Sequence, residues 1–283
     1  MSTTIAQRAK IRALFLDIDG TLITGDECIS HRVMRSLYQA KTKGVEIVLC
    51  TGRTRFRLTP IAEQMPEPAG YAVCSNGGVT THLGTGEILY RHLLPKPVAL
   101  RVIRAIVDAG SEPYAFEDSD RSGIEGARVL FHPDLPVGNW ADLPRYRPYD
   151  AIMEELPFEP VSVSAFGHPD VMRPLALNLM RELTGEVAII QSGSNKNWGV
   201  EVYVAKVDKV LGMQTIASRI GVAKDEILAI GDHANDLEMI KWAGVGVAMG
   251  NALPEILRAA DWVTADVTRD GVADAIERYI LLN

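Results

Sequence analysis

An apolar run over residues 11–16 that ends in Asp17-Ile18-Asp19-Gly20-Thr21 constrains this chain more than any other feature. A short, nearly continuous apolar run is the pattern of a strand buried on both faces, as in a parallel sheet covered by helices. Gly20 supplies the turn that ends it. Asp17 and Asp19 are therefore expected on a loop at the carboxyl edge of such a sheet, where open α/β folds bind their ligands. Asp and Gly also favour surface turns for purely local reasons. At average residue usage, however, an Asp-x-Asp-Gly-Thr string arises by accident in few chains of this length.

The same rhythm recurs along the chain. Residues 30–43 place Val33, Met34, Leu37 and Tyr38 at helical spacing, with Gly44 set to end the helix. A second buried strand over 45–50 runs into Thr51-Gly52-Arg53, and a third over 71–74 runs into Ser75-Asn76-Gly77-Gly78. Late in the chain come a helix over 209–220, a strand over 227–230 ending in Gly231-Asp232, and strands over 245–249 and 262–264. A closing helix covers about 272–282. Alternating strands and helices predict an α/β fold, a Rossmann-like parallel sheet with helices on both faces.

Between residues 83 and 192 prolines become frequent, and the segment reads as an inserted α+β module dividing a core of 1–82 and 193–283. It holds a weak internal echo. A strand over 87–93, a helix after Pro97 and a strand near Tyr114 are followed by a strand over 161–166, a helix from Asp170 and a strand over 187–191. Gly77-Gly78 and Ser192-Gly193-Ser194 stand at the joints and suit a hinge. Residues 121–155 show few periodic signals.

Composition narrows the class of partner. At 283 residues, with 47% hydrophobic and 23% charged residues, the chain can build a sizeable core. The 29 basic and 36 acidic residues leave a net charge of −7, which disfavours nucleic acid and anionic membranes while leaving room for a local anion site. Cys28, Cys50 and Cys74 lack close spacing, so three buried thiols in a reducing compartment are expected. Residues 1–10 carry no apolar leader core, and no apolar run approaches a membrane span. The expected setting is cytoplasmic.

Parallel strands bring their carboxyl ends to one edge, so Asp17, Asp19, Thr51, Asn76, Asp232 and Asp236 are expected to converge, with Lys209 opening the helix before the last pair. Clustered carboxylates repel one another unless a cation neutralises them. Hard oxygen ligands suit Mg²⁺, which keeps several waters and commonly accompanies a phosphate group.

With these residues in view, the chain resembles the haloacid dehalogenase superfamily over nearly its whole length, specifically the Cof-like phosphatases with a C2-type cap of the C2B kind. The motifs are Asp17-Ile18-Asp19-Gly20-Thr21, then Thr51 in Cys50-Thr51-Gly52-Arg53, then Lys209, then Gly231-Asp232 through Asn235-Asp236. Residues 247–252 and Asp270-Gly271-Val272 are similar to the family's closing segments; Val210, where Gly is usual, and His233 depart from the pattern.

The resemblance implies a Mg²⁺-dependent phosphatase of small phosphorylated metabolites such as sugar phosphates, working through an aspartyl-phosphate. It implies Asp17 as nucleophile and Asp19 as general acid and base. Mg²⁺ would be held by Asp17, the Asp19 carbonyl and Asp232, with Asp236 orienting a metal-bound water. Lys209, Thr51 and Gly52 would face the phosphoryl group, and the cap would choose the substrate.

Several residues keep two readings. Arg53 contacts substrate or pairs with a core carboxylate. Asn76 binds substrate or serves the turn, and Asn235 is assigned to phosphate. Thr51 alternatively caps its strand, Asp236 alternatively favours a helix dipole, and His233 is a loop residue. The glycines at 244, 246 and 250 lie within a strand pattern after a helix, which excludes a dinucleotide fingerprint. A phosphotransferase or mutase on the same scaffold remains an alternative activity, and a non-enzymatic binding protein a third reading.

Overall fold

A computed structural model describes residues 9–25, 27–65, 70–118, 128–131, 145–148, 156 and 158–282. The chain divides into two compact units. The first comprises Met1–Gly52, Leu58–Leu89 and Asp208–Asn283, and the second Arg53–Arg57 and Tyr90–Val207.

The first unit is built on an eight-stranded sheet. Its strands are β1 (Ala13–Leu16), β2 (Glu46–Cys50), β3 (Tyr71–Cys74), β4 (Val79–His82), β5 (Ile88–Arg91), β12 (Ile227–Gly231), β13 (Val245–Ala248) and β14 (Trp262–Val263). They lie in the order β14-β13-β12-β1-β2-β3-β4-β5, and every pair from β14 to β3 is parallel. The four residues of β1 are fully buried, which is why its sequence shows no alternation.

One face of this sheet packs Phe15, Val48, Val73 and Ala229 against Met213 and Ile216. Each large side chain fully buried there contributes about 1.5–3 kcal/mol. Met213 and Ile216 belong to the helix Lys209–Ile220, which Asp208 starts by accepting the Leu211 N–H and Gly221 ends at φ 63°. The helix α1 (His31–Thr42) is capped by Ser30, whose hydroxyl accepts the Val33 N–H, and buries Val33, Leu37 and Ala40.

The second unit holds a six-stranded sheet of β6 (Tyr114–Phe116), β7 (Arg128–Phe131), β8 (Arg145–Pro148), β9 (Ser162–Gly167), β10 (Val187–Gly193) and β11 (Trp198–Val204). Their order is β10-β11-β9-β6-β7-β8. The helices α3 (Lys96–Asp108) and α4 (Pro169–Glu182) cover one face, where Ile103, Ile106, Met172 and Leu179 pack on Val163, Val200 and Val202. A further helix, α2 (Arg55–Ala62), begins in the second unit and continues into the first.

Three expectations need correction. The strand assigned to the inserted module at 87–93 is β5, at the edge of the first sheet beside β4, so the internal echo breaks. The joint assigned to 192–194 lies inside the β10–β11 ladder, where Ser192 pairs with Gly199 and Gly193 with Trp198. A hinge has no place there. Gly77 does not serve as a hinge either: it is buried at φ 101°, and a Cβ on it would overlap the Asp208 carbonyl. Cys50 and Cys74 are buried, whereas Cys28 is exposed. The loop-rich stretch 121–155 lies outside the described residues except for β7 and β8, as do residues 1–8. Among the described residues, no helix is long and apolar enough to cross a membrane.

Candidate active site

Asp17 and Asp232 each stand one residue beyond a central strand, β1 and β12, and adjacent parallel strands set them side by side. The Asp17 N–H donates to the Ile230 carbonyl at 3.0 Å, extending the ladder to Asp17 itself. Beyond Asp17 the chain turns sharply. The Leu22 and Ile23 N–H groups donate to the Ile18 carbonyl at 2.8 and 3.0 Å, with Gly20 at φ 86°. A Cβ on Gly20 would lie 2.5 Å from Asp232 Oδ2, so the absent side chain leaves room for that carboxylate. The turn leaves Asp17 buried and Asp19 exposed.

Lys209 opens the helix Lys209–Ile220, here α5, and is 1% exposed. Its Nζ donates to Asp17 Oδ1 at 2.6 Å and to Asp236 Oδ1 at 2.5 Å. The other oxygen of Asp236 accepts the Asp232 and His233 N–H groups, both at 3.0 Å. Asp236 is thus a fixed anchor for the lysine and for the loop after β12. Asp232 accepts the Thr21 hydroxyl at 2.9 Å and the Asn251 side-chain N–H at 3.3 Å, while Asn251 also donates to the Gly20 carbonyl at 2.8 Å.

The charges do not balance. Asp17, Asp232 and Asp236 bring one oxygen each within 4.8 Å of one another, and the one buried ammonium that meets them bonds only Asp17 and Asp236. Burial, and next Asp236, push Asp17 well above the usual carboxylate range against the pull of Lys209. Burial and then Asp236 push Asp232 up to about 6. Burial disfavours the charge on Lys209, but Asp17 and Asp236 together raise it above the ordinary lysine value. Such an excess of buried negative charge is what a hard divalent cation relieves, and an all-oxygen donor set suits Mg²⁺. Asp17 and Asp232, at 5% and 9% exposed, are the carboxylates that could hold it, whereas Asp236 is 0% exposed and is committed through one oxygen to the Lys209 ammonium and through the other to two backbone N–H groups.

Thr51 follows β2 and is buried; its N–H donates to the Val73 carbonyl at 2.8 Å, and its carbonyl accepts the Asn76 N–H at 3.0 Å. Asn76 lies in a left-handed turn in which Ser75, Asn76 and Gly77 all have positive φ, an arrangement that persists only where its surroundings hold it. The Asn76 side chain lies over Gly52, where a Cβ would come within 3.2 Å of it, and accepts the Asn235 side-chain N–H at 2.8 Å. Arg53 belongs to the segment that packs with the second unit, and its Nη1 donates to the Arg57 carbonyl at 3.4 Å.

The structure thus brings Asp17, Lys209, Asp232 and Asp236 into one buried cluster, with Asn76 and Asn235 paired over Gly52. Sequence reading missed the grip of Thr21 and Asn251 on Asp232. Both residues lie in segments that the motifs flagged, but only the fold shows what they touch.

A sequence profile of the haloacid dehalogenase-like hydrolases matches residues 14–276, and the chain belongs to that family. It is 27% identical over 273 residues to 5-amino-6-(5-phospho-D-ribitylamino)uracil phosphatase YitU of Bacillus subtilis, covering 94% of this chain and 97% of that one. A haloacid dehalogenase-like hydrolase from Bacteroides thetaiotaomicron has a similar structure, with TM-score 0.79, 27% identity, and coverage of 95% of this chain and 99% of that one. The subclass IIB sugar phosphatase BT4131 shares the fold at TM-score 0.75 and 21% identity, covering 95% of this chain and 98% of that one. Fold, site and relatives together define an enzyme of the phosphatase class.

Proposed function

We propose that the protein is a Mg²⁺-dependent hydrolase of small phosphomonoesters, sugar phosphates among them, acting through a phosphorylated Asp17. The observation that carries this reading is the pairing of Lys209 Nζ with Asp17 Oδ1 at 2.6 Å and with Asp236 Oδ1 at 2.5 Å, inside a carboxylate cluster that lacks charge balance. A lysine so placed orients Asp17 and offsets the negative charge of an approaching phosphoryl group.

An oxygen of Asp17 attacks phosphorus, forming the aspartyl-phosphate as the ester oxygen leaves. Asp19 gives that oxygen a proton, then takes one from the water that attacks phosphorus and releases Asp17. Its exposed position beside the buried Asp17 suits exchange of a proton with the leaving group and with water. The Thr51 hydroxyl and Gly52 N–H donate to phosphoryl oxygens. Asp17, Asp232 and the Asp19 carbonyl would hold Mg²⁺, which supplies Lewis-acid neutralisation of the phosphoryl charge. The second unit is assigned the choice of ester.

The test is acid-quenched reaction with a ³²P-labelled ester together with phosphate release from a panel of sugar and ribityl phosphates. Label should remain on wild-type protein and be absent from Asp17→Asn. Asp19→Asn should still accept label but turn over about 10²- to 10⁴-fold more slowly with a poor leaving group. Normal turnover by Asp17→Asn would remove the nucleophile assignment.

A further inference from the structure

Two arginines meet on one carboxylate in the second unit. The Arg55 Nε–H donates to Asp118 Oδ1 at 3.1 Å, and the Arg91 Nε–H donates to Asp118 Oδ2 at 2.6 Å. The Asp118 side chain is only 6% exposed. Charge-assisted bonds under such cover hold geometry far better than ion pairs on an open surface.

The positions of these residues along the chain give the arrangement its meaning. Arg55 lies in Arg53–Arg57, the short segment that leaves the first unit immediately after Thr51 and Gly52. Arg91 is the second residue past a later crossing, where the chain leaves the first unit again between Leu89 and Tyr90. Asp118 lies two residues beyond the end of β6. One carboxylate therefore fastens two of the points at which the chain passes between units to the sheet of the second. Arg55 stands three positions after Gly52, a reach of at most about 10 Å when fully extended.

We propose that Asp118 is a positioning residue for the phosphate site: through Arg55 it sets the turn at Thr51 and Gly52. The catalytic half of this inference rests on the phosphatase reading, in which that turn donates to the phosphoryl oxygens. Thr51 is itself held within the first unit by the backbone of Val73 and Asn76, and Arg55 is held within the second by Asp118. Releasing either one lets the donors drift. A misplacement of about 1 Å in such a group costs up to about 10²-fold in rate.

The experiment compares Asp118→Asn, Arg55→Gln and Arg91→Gln in the full chain, measuring kcat, KM, the unfolding midpoint and hydrogen–deuterium exchange over residues 51–57. Arg55→Gln and Asp118→Asn should lower kcat by about 10- to 100-fold with little change in KM, and should speed exchange over 51–57. Arg55→Lys should recover part of the rate. Arg91→Gln removes the other partner of the same carboxylate without touching Arg53–Arg57. It should lower the unfolding midpoint as much while leaving kcat and the exchange of 51–57 near wild type. A kcat that follows the unfolding midpoint across all three variants would reduce Asp118 to a structural role and overturn the proposal. Unchanged exchange over 51–57 in Arg55→Gln would overturn the fastening whether or not the protein is a phosphatase. Absence of phosphate release from wild type would defeat the phosphatase reading alone.

Discussion

Lys209 and Asp17 come from chain positions 192 residues apart, yet their side chains meet at 2.6 Å, both almost fully buried. A strand end supplies one and a helix start the other, so both are held by backbone hydrogen bonds rather than by flexible loops. Removing Lys209 would leave Asp17 and Asp236 buried without their cation. Lys209→Met is expected to cost about 3–5 kcal/mol of stability, because breaking a buried pair on one side strands the other charge. The double variant Lys209→Met with Asp236→Asn should regain part of that stability but none of the turnover. Denaturant unfolding and kcat, measured on both variants, separate the two effects. Full recovery of turnover in the double variant would show that Lys209 serves the fold alone.

Relief of the carboxylate cluster by a cation has a thermal signature. Ligand that binds only the folded state stabilises it in proportion to RT ln(1 + [L]/Kd), so the Tm should rise with Mg²⁺ concentration. Asp232→Asn should flatten that rise, and chelator should abolish turnover in the wild type. Ca²⁺ should raise the Tm while supporting little turnover, because its larger and looser shell misplaces the nucleophile. A wild-type Tm and rate indifferent to chelator would contradict the metal assignment.

The four charged residues of the site were legible because each follows a strong local signal. Asp17 and Asp232 end fully apolar strands, Asp236 follows in the same loop, and Lys209 sits at the helix start marked by Asp208. What sequence could not decide was partnership between sheets. β5 is half-buried along its length, and nothing in four such residues says which sheet edge they join. β11 carries a clear alternation of apolar positions, but Gly193 and Ser194 before it read as a joint. In the fold they form a tight turn, in which the Ser194 N–H donates to the Asn197 carbonyl at 2.8 Å. The hold of Asn251 on Gly20 spans 231 positions and has no local trace.

Glu201, on β11, gives a pH prediction away from the buried carboxylate cluster. Burial pushes its carboxyl above the ordinary value, partly opposed by the Tyr203 hydroxyl, which donates to it at 2.6 Å. A carboxyl with a raised folded value contributes stability below its unfolded value, about 4.3, and that contribution is lost as pH rises through the folded value. Glu201→Gln keeps an acceptor for Tyr203 but cannot ionise. The variant should therefore gain Tm relative to wild type as pH rises from 4 to 7, with the smallest difference at the acid end. A difference that stays constant over that range would mean that Glu201 ionises in the folded protein as easily as in the unfolded chain.

The chain crossings determine where the second unit can be exchanged for that of a relative. Cuts at 82/83 and 192/193 would remove the edge strand β5 from the first sheet and split the β10–β11 ladder, in which seven residue pairs are in register. Cuts at 89/90 and 207/208 keep the first half of β5, Ile88 and Leu89, in place and spare that ladder. Chimeras made at the second pair should be soluble and show cooperative unfolding, and those made at the first should not. With the chemistry assigned to the first unit, a folded chimera should still require Asp17 and Mg²⁺ but rank phosphate esters differently by kcat/KM. Arg55 stays with the host in such an exchange, so a donor without an acidic residue at the place of Asp118 should also lose kcat until that carboxylate is restored. An unchanged ranking of esters in a folded, active chimera would place specificity in the first unit.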